Sequence, residues 1–131
     1  MNSSTQQDIG KLILRLSVGC LVFLHGVTKL EGGLDGIIQM VETQGFPGFF
    51  GYGVLAGEVL APLMVILGLF SRIGGILIAI NMLFALYLVH LGDFGRLNET
   101  GGWAIELQVM FLATAVAVAL LGPGKWAFNQ R

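Results

Sequence analysis

Several ionisable side chains lie inside or beside apolar stretches of the sequence, and five of them are the first candidates for chemistry. Arg15, His25 and Lys29 occur along the first apolar stretch, Glu58 lies in the second, and Glu106 lies near the start of the last. A charge at bilayer depth costs about 2.5–3.5 kcal/mol on insertion scales, so such side chains usually face a bundle interior and find a partner. Carboxylates and imidazoles in a site poor in water can move protons. We therefore predict a polar cluster in which Glu58, Glu106, His25 and Arg15 are the candidate catalytic residues.

Helical periodicity gives this cluster an expected geometry. At 100° per residue, Arg15, His25 and Lys29 fall within about 80° of one another, so they share one face of the first helix. At 1.5 Å per residue, Glu58 lies about 12 Å from the outer end of its helix and Arg15 about 9 Å from the inner end of its own. An arginine side chain can bridge that difference in depth. We therefore expect an Arg15–Glu58 contact, either as part of a functional site or as an ion pair that only fixes helix register.

Pro62 follows Glu58 by four residues. Since proline has no backbone N–H, it cannot bond the carbonyl of Glu58, and this predicts a kink and a free acceptor beside the carboxylate. Such a place favours water, a proton or a polar group of a ligand.

The last apolar helix is expected to turn one particular face inward. This face carries Glu106 at its outer end, at a depth similar to that of His25. The residues that follow on the same face are small enough for close packing. Its members are Glu106, Met110, Ala113 and Ala117.

Lys29, Asn81 and His90 are the candidate ligand-binding residues. Asn81 and His90 are nine residues apart, so they face one site only if the third helix ends before His90. Two histidines in the outer half could hold a haem axially, but the pattern is non-specific and a haem is not favoured. Cys20 is the single cysteine, which leaves no disulfide framework or thiolate metal site within one chain, and we predict no metal.

The composition indicates a membrane protein. The 131 residues are 55% hydrophobic and 11% charged, with a mean hydropathy of +0.82, whereas soluble domains are roughly 25% charged. Four windows reach the roughly 20 apolar residues that a spanning helix needs, and a shorter amphipathic stretch separates the first two. We predict an all-α fold, an integral membrane four-helix bundle with a short interfacial helix between the first and second spans, in a single domain over residues 1–131. The spans are about 9–28, 49–70, 73–91 and 103–121, and the interfacial helix is about 34–44.

The distribution of charge predicts the orientation. Lys11, Arg72, Lys125 and Arg131 fall on one side of the spans, and by the positive-inside rule both termini are cytoplasmic. The net charge of -1 and the lack of a Lys/Arg cluster exclude a nucleic-acid partner. The lipid bilayer is the expected partner, and the sequence leaves a homo-oligomer open.

Four segments, in their order and spacing, resemble the DoxX family of small four-helix membrane proteins, from about Lys11 to Trp126. They are RLSVGCLVFLHGVTKLEGG (15–33), GEVLAPLMVILGLFSR (57–72), Asn81, and GGWAIELQVMFLATAVAVALLGPGKW (101–126). The resemblance implies a multi-pass protein of a bacterial-type inner (plasma) membrane and an oxidoreductase subunit acting on quinone, in some members linked to thiosulfate oxidation. The residues that match the polar pattern of the family are Arg15, His25, Gly26, Lys29, Glu58, Arg72 and Glu106. After GPG the family often has a small polar residue and an Asp, where this chain has Trp126, Ala127, Phe128 and Asn129.

Three functions from different classes are compatible with these residues. In a quinone-linked redox subunit, the quinone head lies near Glu58, Glu106 and His25, and electrons come from a partner subunit, since no haem-attachment sequence, dinucleotide fingerprint or cysteine cluster is present. In a non-enzymatic membrane partner or assembly protein, Arg15 and Glu58 only hold the bundle together. A small transporter is supported by the Pro-interrupted helix beside an acid but not by any internal repeat. The family resemblance favours the first.

Overall fold

The computed structural model describes residues 3–89, 92 and 94–131 of the chain. Within these residues the chain forms five helices and no strand, and a loop after the fourth helix contains a single antiparallel bridge between Leu97 and Trp103. The all-α prediction is confirmed. The helices are α1 (Ser3–Glu31), α2 (Leu34–Thr43), α3 (Phe50–Leu67), α4 (Ser71–Val89) and α5 (Glu106–Leu121).

Two of the helices, α1 and α3, are long and apolar enough to cross a membrane by length and composition, and α4 and α5 are shorter apolar helices. Helix α1 begins at Ser3, earlier than residue 9 where the first span was predicted to start, because the polar residues at the start of the chain continue the helix. Helix α5 begins at Glu106 rather than at residue 103.

The longer helices α1, α3, α4 and α5 pack around one apolar core. Their inward faces carry small and branched side chains that let the helices approach closely. The core is formed by Val18, Val22, Ala61, Val65, Ile78, Ala79, Met82, Phe111, Ala115 and Val118.

The predicted short amphipathic helix is present as α2. Its residues Ile37 and Val41 lie on one face and are buried against Val54 of α3. Phe46 and Phe50 pack beside this cluster and make ring contacts with each other. Helix α2 is therefore held against one end of α3.

Two glycines of α1 bring that helix into close contact with α3. A Cβ atom at Gly26 would collide with the backbone carbonyl of Glu58, and one at Gly19 would lie 2.6 Å from Cγ1 of Ile66. Because the two glycines are seven residues apart, they lie on the same face of α1. Small residues at such positions let two helix backbones approach, and here the approach is closest beside Glu58.

Helix α3 has a π-helical segment over Ala56–Leu60, which contains Glu58. The N–H of Ala61 donates to the carbonyl of Ala56, five residues earlier, and Pro62 lies in the first turn of the α-helical segment Ala61–Leu67 that follows. A π-helical turn is a wider turn that often occurs at functional sites. The distortion that Pro62 predicted thus takes the form of a π-helical segment at the acid.

The C-terminal segment, residues 123–131, folds back over the end of α3 and the start of α4. The N–H of Phe128 donates to Leu67, and that of Asn129 donates to Gly68. Gly68 has a φ of 73°, the left-handed conformation that ends α3. The N–H of Arg72 donates to the carbonyl of Arg131. The connection between α3 and α4 is therefore covered by the C-terminal segment.

Candidate functional site

The buried carboxylate of Glu58 forms an ion pair with Lys29. The Nζ of Lys29 donates to Oε2 of Glu58, and the side chains are 32% and 4% exposed, respectively. The predicted contact between Arg15 and Glu58 is wrong. Helices α1 and α3 meet at Gly26, which is only one turn from Lys29, so the lysine reaches Glu58. Arg15 lies about 21 Å from Lys29 along α1 and therefore does not reach Glu58.

A cavity of about 270 Å³ lies beside this ion pair. All five helices contribute to its wall, which is mostly apolar, with Met40, Val54, Met82, Phe84 and Phe111 among its lining residues. Sites for small molecules are typically apolar spaces with a few placed polar groups, and this cavity has that character. Its polar lining residues are His25, Lys29, Glu58, Asn81 and Gln108.

Asn81 of α4 lines this cavity and has a buried amide donor for which the described residues offer no partner. The residue is 6% exposed, and its Nδ2 has no hydrogen-bond partner in the described part of the chain. A Cβ atom at Gly57 would lie 2.5 Å from that of Asn81, so the glycine lets the asparagine pack against the π-helical segment. Because a buried donor without an acceptor costs about 1–3 kcal/mol, Asn81 is suited to bind an oxygen atom of a ligand.

His25 lies at the edge of the cavity. Its ring meets that of Phe111 edge to face, with the centroids 5.6 Å apart, and the residue is exposed on its other side. Leu24, Thr28 and Lys29 lie beside it in a shallow depression on the surface. The imidazole can therefore contact both the cavity and the outside of the protein.

Glu106 does not line the cavity. It is exposed at the start of α5, and its Oε1 lies 3.4 Å from Nδ2 of Asn98 in the preceding loop. A carboxylate in the first turn is favoured by the helix dipole, which explains this position without a partner in the bundle. Gln108, two residues later and so on another face of α5, lines the cavity instead.

The predicted inward face of α5 is also wrong. Met110 is 62% exposed, and the buried residues of the helix are Phe111, Ala115 and Val118. Glu106 does not mark the inward face, and apart from Glu106, Gln108 and Thr114 the helix is apolar on every side, so its periodicity gives no direction.

Arg15 lies buried near the middle of α1, about 21 Å from Lys29, and it binds carbonyl groups. Its guanidinium donates to the backbone oxygens of Val65 at 2.9 Å and Ile66 at 3.0 Å, in the last turn of α3. It also donates to Pro123 at 2.9 Å and Trp126 at 2.7 Å in the C-terminal segment. A cation is stabilised at the C-terminal end of a helix dipole. Arg15 thus connects α1, α3 and the C-terminal segment, away from the cavity.

The structure therefore brings four of the candidate residues to one cavity, namely His25, Lys29, Glu58 and Asn81, and places Arg15 and Glu106 elsewhere. His90 lies outside the described residues. Among those that are described, no group of three or more His, Cys, Asp or Glu could hold a metal ion. Gln108 was missed, and its signal was available: it is the one amide side chain within the apolar helix α5.

The fold and the site define a class of helical protein that has two helices of membrane-spanning length and a mostly apolar cavity beside a buried acid. The chain belongs to the DoxX family, whose model matches residues 10–91, and the resemblance found in the sequence is confirmed. A Bacillus subtilis (strain 168) protein named "Putative oxidoreductase CatD" is 33% identical over 115 residues, which cover 88% of this chain and 81% of the relative. No solved structure is significantly similar to the chain.

Proposed function

We propose that this DoxX protein is a membrane oxidoreductase subunit that binds the ring of a quinone in the cavity beside Glu58. The observation that carries the proposal is the buried Glu58–Lys29 ion pair, which lies with the unpartnered Nδ2 of Asn81 on the wall of a mostly apolar cavity. The relative named as an oxidoreductase supports the same class of reaction. A quinone ring has apolar faces and two oxygen acceptors, which such a cavity suits.

The size of the cavity favours a single ring. Its volume of about 270 Å³ is just under the roughly 300–1,000 Å³ of typical ligand pockets. A dinucleotide or a haem needs more space than this. A quinone head requires only one ring in the cavity, and the rest of the molecule can lie outside it.

The polar residues can assist the uptake of two electrons and two protons by the ring. Electrons come from a partner protein, and negative charge develops on the ring oxygens as they arrive. The ammonium group of Lys29 and the amide of Asn81 stabilise this charge, and Glu58 holds Lys29 in place. Lys29 and His25 can supply the two protons and recover them from water, because both reach the outer surface.

The proposal includes a bundle that crosses the membrane with α1, α3, α4 and α5. Large apolar side chains cover the outside of these helices, with Leu24, Ile80, Met110 and Leu120 all more than half exposed. Among the described residues, in contrast, four polar or charged side chains are buried, namely Arg15, Glu58, Ser71 and Asn81. A helical bundle with an apolar outer surface and buried polar side chains fits lipid better than water.

Both termini are proposed to be cytoplasmic, and thiol labelling tests this. We expect Gln130→Cys, in a Cys20→Ser background, to react with a membrane-impermeant maleimide only after the cells are lysed, because Lys11, Arg72, Lys125 and Arg131 keep that side inside. Glu99→Cys, in the loop before α5, should react in spheroplasts that are still intact. The reverse pattern would contradict the orientation.

The quinone site is tested by the amount of quinone that copurifies with the protein. We expect Glu58→Gln to fold and insert, yet to retain at least about tenfold less quinone per mole of protein, because Lys29 loses the carboxylate that orients it. Quinone is extracted from the purified protein and quantified by mass spectrometry. The matched control is Glu106→Gln, which removes an acid that does not line the cavity and should leave the quinone content unchanged.

Two results would contradict the proposal. One is a wild-type protein that carries no quinone and binds none when it is added in lipid. The other is a Glu58→Gln variant with unchanged quinone content and a large loss of stability, which would leave the Lys29–Glu58 pair as an ion pair that only fixes the helices.

A further inference from the structure

A second, apolar space adjoins the cavity between α3 and α4. We infer that this groove holds the hydrocarbon tail of the ligand whose head lies in the cavity; the inference rests on the proposed function. The groove measures about 440 Å³. Its own lining residues are Phe49, Phe50, Gly53, Ala56, Leu77 and Ile80, together with Gly57.

The groove and the cavity share part of their walls. Val54, Asn81 and Phe84 line both spaces. Asn81 is the shared polar residue, is almost fully buried, and has a donor without a partner among the described residues. A molecule that lies against Asn81 in the cavity is therefore next to the groove, and the inference places its apolar chain there.

The composition of the groove indicates a hydrocarbon occupant. Apart from Asn81, its lining residues are apolar or glycine, and none is ionisable. Phe49 is 66% exposed and Ile80 is 58% exposed, so the groove is open at the outer side of the two helices. In a bundle that crosses a membrane, this is the side that faces lipid, where quinone tails are dissolved.

The surface depression beside His25 and Lys29, on the other side of the cavity, is less suitable for a tail. It is formed by Leu24, His25, Thr28 and Lys29, and a hydrocarbon chain there would lie against an ammonium group and an imidazole. Removing a charge from its polar surroundings is costly. The ring is therefore oriented with one end toward Lys29 and its tail toward α4.

Small residues of α3 create the groove. Gly53 and Ala56 lie in or next to the π-helical segment, where a larger side chain would fill the space. A Cβ atom at Gly53 would have no heavy atom within 4 Å. A bulky residue at this position should consequently occupy the groove without a clash against the protein.

Gly53→Trp tests the inference with two probes, a decyl-substituted benzoquinone and the same ring without the decyl chain. We expect the variant, reconstituted in lipid, to bind the decyl compound at least about tenfold more weakly than the wild type does, and the tail-free ring within about twofold. Comparing each probe between variant and wild type cancels its own partitioning into the lipid. The matched control is Gly10→Trp, since Gly10 of α1 also has nothing within 4 Å and should leave both affinities unchanged.

The outcomes separate the two proposals. If Gly53→Trp leaves binding of the decyl compound unchanged, or weakens both probes equally, the groove does not hold the tail, whereas the quinone site in the cavity stands. If the wild type binds neither probe, the proposed function fails, and the inference about the groove fails with it.

Discussion

Arg15→Met is expected to lower the free energy of unfolding by roughly 3–5 kcal/mol, because the hydrogen bonds that it removes outweigh the cost of burying the charge that is removed with them. The guanidinium donates four hydrogen bonds to backbone carbonyls, and hydrogen bonds to a charged group are each worth about 1.5–3 kcal/mol. Methionine has a similar length but no donor, so these carbonyls lose a partner. The loss should appear as a fall of at least about 10 °C in the thermal midpoint in detergent, followed by circular dichroism.

Arg15→Lys should recover little of this loss. An ammonium group is a point charge and cannot match the planar fork that reaches carbonyls of two separate segments. The control is Lys11→Met, one turn earlier on α1, which removes a cation with much less burial and should change stability by less than about 1 kcal/mol. If Arg15→Met is as stable as Lys11→Met, the buried guanidinium does not hold the C-terminal segment.

Gly26→Ala is expected to have the second large effect. Its new methyl group would collide with the carbonyl of Glu58, and because this is backbone, α1 and α3 must move apart. Overpacking of this kind typically costs about 1–3 kcal/mol. Since Lys29 lies one turn further along α1, the same displacement should also reduce the quinone content of the purified protein.

Gly10→Ala is the matched control, because the same methyl group at Gly10 has nothing within 4 Å. Within a helix this change should be neutral or stabilising by up to about 1 kcal/mol. Thermal midpoints of both variants, measured in one detergent, give the comparison. Equal midpoints for the two variants would show that the contact between α1 and α3 is loose enough to accept a side chain.

The sequence was sufficient to predict the helices and the burial of Glu58. Long apolar windows with few charges form helices, and a carboxylate within one of them is driven inward by the cost of exposing it to lipid. The partner of Glu58 was harder to predict, since Arg15 and Lys29 share a face of α1. Which of them meets the acid depends on where α1 and α3 cross, and this is fixed by the close approach at Gly26.

Two further errors have physical causes of the same kind. Apart from Glu106, Gln108 and Thr114, helix α5 is apolar on all sides, so hydrophobic periodicity could not distinguish its inward face, and Glu106 was a misleading marker because it lies in the first turn. The partners of Arg15 are carbonyl groups, which every residue has. No pattern of side chains could therefore identify Val65, Ile66, Pro123 and Trp126 as its acceptors.

The C-terminal segment has a consequence for the order of assembly during translation. Two of the acceptors of Arg15, in Pro123 and Trp126, are 108 and 111 residues later in the chain. While the ribosome is still making α4 and α5, those two acceptors do not yet exist, so the guanidinium can reach at most the carbonyls of Val65 and Ile66 in α3. The four hydrogen bonds of Arg15 can therefore be completed only after α5 and the segment that follows it have been made.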